Sequence, residues 1–236
     1  IYSHGNSEAP TDLGHVLNLP FQSTWSRTDA AWVLNDALIY LPWFIFVPLA
    51  MLMITSMSNA VNSTDGMDGL AAGTTTIVLI GMLVLTQIAG DDPIAKYLLL
   101  PSVTGSEELL ILTAATAGAC LGFLWWNCLP AQVFMGDTGS LALGGLLAYI
   151  AVVIRQEILL LIMGGVFLLE IASVVLQVGY FKYTRARTGV GQRLFKVAPI
   201  HHHFHILGWT EQQVVSRFWI ITSILVVLAL AIIKVR

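Results

Sequence analysis

The sequence predicts an all-α polytopic membrane protein, and three observations lead to this class. Of its 236 residues, 56% are hydrophobic and only 11% are charged, whereas a soluble domain usually has about 25% charged residues. The apolar residues are grouped into six long segments instead of being spread along the chain. Because backbone polar groups in lipid must be hydrogen-bonded within their own segment, segments of this kind are expected to be helices.

Six segments approach the length of about 20 apolar residues that a helix needs to cross the hydrocarbon layer. They are residues 38–58, 70–89, 108–126, 139–154, 158–181 and 213–234. The first contains Pro42 and Pro48, which are expected to kink it. Residues 1–37 are polar and mixed, and we interpret them as an extracytoplasmic arm that precedes a transmembrane domain at 38–236.

The orientation follows from the basic residues. Five of the eleven lie between the last two segments: Lys182, Arg185, Arg187, Arg193 and Lys196. The positive-inside rule therefore makes the loop at 182–212 cytoplasmic. Counting back, the loops at 59–69 and 127–138 share that side, while the loop at 90–107 lies outside. All the polar motifs described below are thus expected at the cytoplasmic face.

The loop at 59–69 contains two carboxylates, Asp65 and Asp68. In a helix they would lie on neighbouring turns of one face, and they would repel each other unless a cation or ligand lay between them. Mg²⁺ usually binds one or two protein carboxylates together with phosphate oxygens and water. Gly66 and Gly69 allow a sharp turn and a close approach of the backbone to a ligand. Helix capping is the alternative, but it explains one polar residue better than it explains the repeated pattern.

A second polar motif, residues 134–141, leads into the fourth apolar segment. Asp137 lies just before this helix, whose N-terminus carries partial positive charge and unpaired N–H groups. Those groups favour anions, so we expect a phosphate here beside a metal ion. The alternative is that Asp137 or Thr138 simply caps the helix. Phe134 is placed to stack on a nucleobase, and Asn127 is placed to hydrogen-bond a base edge.

Four of the six histidines lie within residues 201–205. In an extended segment His201, His203 and His205 would share one face, which is a zinc arrangement. However, no cysteine lies near them in sequence, and the acidic motifs favour a hard metal. We therefore expect the histidines to bind a diphosphate or to transfer protons.

Three further features remain open at this point. Glu170 lies inside the fifth segment, where an ionisable group is costly, so it is either a functional residue or a structural partner within the bundle. Gln177, two turns nearer the cytoplasm, is placed to reach the edge of the site. The basic loop either binds phosphates or lipid headgroups, or it only enforces the topology.

The three motifs together resemble those of the phospho-N-acetylmuramoyl-pentapeptide transferases, bacterial enzymes of the polyprenyl-phosphate sugar-1-phosphate transferase superfamily. Residues 62–69, Asn-Ser-Thr-Asp-Gly-Met-Asp-Gly, are similar to the family's Asn-Leu-Thr-Asp-Gly-Leu-Asp-Gly motif, with Ser63 in place of the usual aliphatic residue. Residues 130–140 are similar to its second motif, and residues 198–204 to its triple-histidine motif. The likeness runs from about residue 38 to the end.

This resemblance implies a ten-helix membrane enzyme, of which the chain corresponds to the C-terminal six helices. The implied reaction transfers phospho-MurNAc-pentapeptide from UDP-MurNAc-pentapeptide to undecaprenyl phosphate, giving lipid I and UMP. It implies Mg²⁺ as cofactor, the bacterial inner (cytoplasmic) membrane as location, and no nucleic-acid partner; a homodimer is compatible with it. The alternatives are a transferase that uses a UDP-N-acetylhexosamine, against which the triple histidine argues, and an ion-coupled transporter.

The resemblance also implies roles for individual residues. The expected catalytic residues are Asp65, Asp68, Asp137 and His201, with Asp137 as the metal ligand. The expected substrate-binding residues are Asn62, Gly66, Met67, Asn127, Phe134, Gly136, Gln177, Ala198, His202 and His203. Asn127 and Phe134 would contact the uracil end of the donor, and His201 to His203 the diphosphate side.

The chain departs from the family pattern in one respect. The family also has an Asp-Asp pair on its third helix and a lysine on an earlier helix, both expected before Ile1. Asp91 and Asp92 cannot replace that pair, because the charge pattern puts them on the outer side. We therefore expect this chain to be a truncated form that lacks part of the site and is inactive by itself.

Overall fold

The computed structural model of the chain describes residues 16–19, 21–27, 32–35, 38–103 and 105–233. Within these ranges the elements are β1 (Val16–Leu17), β2 (Trp25–Arg27), β3 (Trp32–Leu34), β4 (Ile39–Tyr40), α1 (Trp43–Thr64), α2 (Leu70–Gly90), α3 (Asp92–Tyr97), α4 (Glu107–Asn127), α5 (Gly136–Val153), α6 (Glu157–Met163), α7 (Gly165–Thr188), α8 (Ile200–Ile206) and α9 (Glu211–Ile233). The strands form two antiparallel pairs, β1 with β4 and β2 with β3.

Among the residues that the structure describes, six helices are long and apolar enough to cross a membrane, namely α1, α2, α4, α5, α7 and α9. The predicted all-α polytopic class is therefore confirmed. α2 lies at the centre and packs against α1, α4, α5 and α9, so that Leu79 and Met82 on it are fully buried. The outer helices expose large apolar side chains such as Met51, Ile111 and Val227, as expected for surfaces that face lipid or further helices.

Three predicted segments differ clearly from the structure. The predicted segment at 139–154 is the helix α5, which begins at Gly136, so Asp137 lies in its first turn and not before it. α1 continues to Thr64, beyond the predicted end at residue 58, because its polar residues bond within the helix: the Thr64 hydroxyl donates to the Ala60 carbonyl at 2.8 Å. The junction is consequently only residues 65–69. The segment predicted at 158–181 is divided at Gly164 into α6 and α7, and α7 extends to Thr188.

Most of the predicted arm at residues 1–37 lies outside the described residues, and the described part contains β1 to β3. One of its links to the bundle is a buried arginine. Arg155 donates from Nε and Nη2 to the Val16 carbonyl at 3.2 and 2.6 Å, and its Nη1 lies 3.0 Å from a carboxylate oxygen of Glu157. β1 is thereby held where α5 ends and α6 begins.

The opposite end of the bundle collects the polar motifs. α1, α4 and α7 end there, α2, α5 and α9 begin there, and the short helix α8 lies among them. Close helix packing supports this arrangement at Gly144 on α5, where an added Cβ would lie 2.6 Å from the Met57 carbonyl oxygen of α1.

Candidate functional site

The centre of the site is the turn at residues 65–69 between α1 and α2. Asp65 ends α1, and Gly69 begins α2 with a φ of 76°, a left-handed conformation that glycine adopts without strain. The Gly66 N–H donates to the Thr64 carbonyl at 2.9 Å, and the Leu70 N–H donates to the Met67 carbonyl at 3.0 Å. The tight backbone places both aspartates on a short polar segment with little freedom.

Asp68 and Asn127 fasten this turn to the loop after α4. An oxygen of the Asp68 carboxylate accepts the Ala131 N–H at 2.9 Å. The Asn127 side-chain oxygen accepts the Gly69 N–H at 3.1 Å, and its Nδ2 donates to the Val133 carbonyl at 2.8 Å. Asn127 is only 4% exposed, so the structure uses its amide to join two backbone segments. Its contact with a base edge stays a prediction.

Asp65 and Asp137 form an acidic pair where α1 meets α5. Burial raises the pKa of the Asp65 carboxyl, the negative charge of Asp137 raises it further, and a hydrogen bond from the Gly136 N–H lowers it. Asp137 itself is exposed in the first turn of α5. The two polar motifs predicted from sequence thus meet at this pair, and Asn62 adds a second link by accepting the Ser140 hydroxyl at 2.6 Å.

The donor set suits Mg²⁺ better than a structural metal ion. Among the residues that the structure describes, no three His, Cys, Asp or Glu side chains are grouped so as to hold a metal. Mg²⁺ does not require such a group, because it usually binds one or two carboxylates and completes its shell with phosphate oxygens and water. A cation beside Asp65 and Asp137 would also relieve the repulsion that raises the pKa of Asp65.

The histidine segment is the helix α8, which excludes the extended arrangement considered for zinc. His201 is fully buried, whereas His205 is exposed and lies with its Nδ1 3.0 Å from the Trp209 carbonyl oxygen. His203 accepts the Lys196 N–H on Nδ1 at 3.1 Å. The three side chains that would have shared one face of an extended strand therefore have three different surroundings.

α8 brings two histidines against the aspartate turn. A Cβ added at Gly66 would overlap the His201 ring and would lie 3.3 Å from His202 Nε2. Burial lowers the pKa of His202, and the neighbouring His201 lowers it further, although Glu170 acts in the opposite direction. His201 Nδ1 lies 3.0 Å from a carboxylate oxygen of Glu170 on α7, so the structure supplies the partner that sequence could not name.

Gln177 and Ala198 line a different part of the same face. They border a cavity of about 430 Å³ between α7 and the loop after it, together with the basic residues Lys182, Arg193 and Lys196. The Gln177 side-chain oxygen accepts the Leu194 and Phe195 N–H groups at 3.1 and 2.8 Å. Among the described residues that border the cavity there is no aspartate, so it is a basic pocket separate from the acidic pair.

The remaining predicted residues differ in exposure. Phe134 is 74% exposed and free to meet a ligand, while the Met67 side chain is buried against Leu70 and Phe218. Sequence reasoning missed Trp219, whose Nε1–H donates to the Gly69 carbonyl at 3.2 Å. No signal in the sequence distinguishes it from other aromatic residues of an apolar helix.

Comparison with known proteins gives a family match and close relatives. A family model described as glycosyl transferase family 4 matches residues 16–155. A phospho-N-acetylmuramoyl-pentapeptide-transferase of Chloroherpeton thalassium is 47% identical over 211 residues, covering 89% of this chain and 57% of the relative. Proteins of the same name from Chlorobium chlorochromatii and Chlorobium phaeovibrioides are 52% and 51% identical over 191 residues, covering 81% of this chain and 52% of each relative. The chain thus spans a little over half the length of these relatives.

Proposed function

This chain belongs to glycosyl transferase family 4, and we propose that it carries part of the active site of a phospho-N-acetylmuramoyl-pentapeptide transferase. The reaction transfers phospho-MurNAc-pentapeptide from its UDP carrier to undecaprenyl phosphate, and it yields lipid I and UMP. The similarity to transferases of that name supports the proposal. The observation that carries it is the meeting of the acidic pair Asp65 and Asp137 with the His201 ring at one end of the bundle.

The chemistry requires positioning and charge neutralisation more than covalent help from the protein. Asp137, with Asp65 beside it, would hold Mg²⁺, which would neutralise charge on the diphosphate and on the departing UMP. The first turn of α5 adds N–H groups that attract a phosphate. Asp65 and Asp137 therefore serve the charged centre of the donor, and Asp68 keeps the surrounding loop in place.

The ends of the two substrates fit different surfaces. Phe134, three residues before Asp137, is exposed, and we assign its ring to the uracil base. The cavity with Lys182, Arg193 and Lys196 combines three positive charges with the apolar side chains of Val174 and Phe181. A substrate that carries an anionic group next to an apolar chain or a peptide would fit this lining. We assign these surfaces to the cytoplasmic face of a bacterial inner membrane, from the charge pattern of the loops.

The experiment is a donor comparison with the complete protein in detergent. UDP-MurNAc-pentapeptide and UDP-N-acetylglucosamine are each supplied with undecaprenyl phosphate and Mg²⁺, and both UMP and the lipid product are measured. We expect UMP and lipid I in equal amounts from the first donor only. Product from the second donor alone would identify a hexosamine-phosphate transferase instead. Failure of both donors to give UMP would refute the transfer reaction and favour the alternative function of an ion-coupled transporter.

A further inference from the structure

The buried pair of Glu170 and His201 is not explained by helix packing alone. Both side chains have no exposed surface, and His201 Nδ1 lies 3.0 Å from Glu170 Oε2. Burying a carboxylate is expensive, and replacing such a pair with apolar residues is often neutral or stabilising. A role beyond stability is therefore the better explanation for keeping it.

The contact determines which nitrogen of the ring carries the proton. A carboxylate only accepts hydrogen bonds, so the nitrogen that faces it must be the donor. With Glu170 ionised, His201 holds a proton on Nδ1, and when the ring is neutral its lone pair is on Nε2. The same relation between a carboxylate and a histidine orients the ring in other enzymes, where the carboxylate itself does not take up the proton.

The free nitrogen is directed at the aspartate turn. His201 Nε2 is buried and has no hydrogen-bond partner within the described part of the chain. A Cβ built on Gly66 would overlap this atom, so Nε2 packs directly on Gly66, the residue after Asp65, and only a residue without a side chain fits there. A buried polar atom without a partner costs free energy, and one aimed at a predicted phosphate site indicates a ligand.

We propose that Glu170 is a positioning residue, which holds the His201 ring so that Nε2 faces the phosphate groups bound beside the 65–69 turn. In the charged ring the Nε2–H donates to an ionised phosphate oxygen. The identity of the ligand as a diphosphate rests on the proposed function, whereas the orientation of the ring does not.

The test needs variants that separate orientation from packing. Glu170→Met keeps a similar volume and removes both oxygens. Glu170→Gln keeps an oxygen that can accept the Nδ1–H but removes the charge. The matched control is Ser173→Ala, one turn further along α7, because Ser173 is buried and donates to the Glu170 backbone carbonyl at 2.6 Å without touching the ring.

The first measurement is the ¹⁵N spectrum of the histidine ring in the complete protein, labelled with ¹⁵N-histidine in lipid nanodiscs. The His201 signals are assigned by their loss in His201→Asn. We expect Nδ1 protonated and Nε2 free in the parent protein and in Ser173→Ala, and a loss of that preference in Glu170→Met. Protonation of Nε2 alone in the parent would overturn the proposal, whether or not the protein is a transferase.

The second measurement is steady-state UMP release. We expect Glu170→Met to lower kcat by about 10²-fold, the usual size of a proton-transfer or orienting contribution, with little change in the donor KM. Glu170→Gln should recover part of the loss, and Ser173→Ala should resemble the parent. If Glu170→Met and Ser173→Ala lost the same amount of kcat and of thermal midpoint, Glu170 would contribute only to packing. An inactive parent would refute the proposed function, and the ring spectrum would still decide the orientation.

Discussion

At the scale of single residues, the polar side chains divide into two kinds. The side chains of Asp68 and Asn127 form hydrogen bonds with the backbone of neighbouring segments. Asp65 and Asp137 instead interact through their charges: after burial, the negative charge of Asp137 contributes to the raised pKa of Asp65. The sequence predicted all four as members of one site, but it could not separate those that build the site from those that meet a ligand, because that depends on hydrogen bonds between distant segments.

Asn127→Ala tests the building role. It leaves the Gly69 N–H and the Val133 carbonyl without their partner, and an unsatisfied buried group costs about 1–3 kcal/mol. We expect a lower free energy of unfolding, measured by chemical denaturation in detergent. Asn127→Asp, which keeps the acceptor for Gly69, should lose less. An unchanged stability with a raised donor KM would instead favour the predicted contact with the base.

Gly66→Ala tests the contact between the turn and the histidine helix. The new Cβ would overlap the His201 ring, so the ring must move away from the turn. We expect kcat for UMP release to fall by about 10²-fold, as for loss of a catalytic proton donor or acceptor. Gly118→Ala is the control, because an added Cβ there meets nothing within 4 Å. Parental activity in Gly66→Ala would mean that the ring position does not matter.

At the scale of elements, the six apolar segments were predictable because each must satisfy its backbone in lipid as a helix. The ends were less predictable, since hydrophobicity alone did not reveal that polar residues such as Thr64 stay helical. The short helices α3 and α8 were not predicted. α8 in particular depends on tertiary contacts, since its His201 packs on Glu170 of α7 and its Phe204 stacks on Trp209.

Gly144→Ala tests the packing of α1 on α5. An added Cβ would lie 2.6 Å from the Met57 carbonyl oxygen and 2.7 Å from Ser58 Cα, so the two backbones must separate. Overpacking of this kind typically costs about 1–3 kcal/mol, which should appear as a lower thermal midpoint in detergent. Gly145→Ala places its Cβ in open space and should unfold like the parent. Equal midpoints for the two variants would contradict the close contact.

At the scale of the whole molecule, the charge pattern predicted that the three motifs share one face, and the structure brings them to one end of the bundle. Sequence could place the motifs on a common side because membrane helices alternate in direction. It could not predict that His201 would meet Gly66, or that Gln177 and Ala198 would line a separate basic cavity. Those contacts depend on the tertiary arrangement of α7, α8 and the loop between them, which the sequence pattern does not reveal.

The central claim is that the acidic pair serves an Mg²⁺-dependent transfer. The most direct measurement is an Mg²⁺ titration of UMP release by the complete protein and by Asp137→Asn. The control is Asp92→Asn, because Asp92 lies at the other end of the bundle in an exposed pair with Lys96, which contributes about 0–1 kcal/mol. We expect Mg²⁺-dependent UMP release in the parent and in Asp92→Asn, and a loss of at least ~10²-fold in Asp137→Asn. Near-parental turnover of Asp137→Asn at the same Mg²⁺ concentrations would contradict the account.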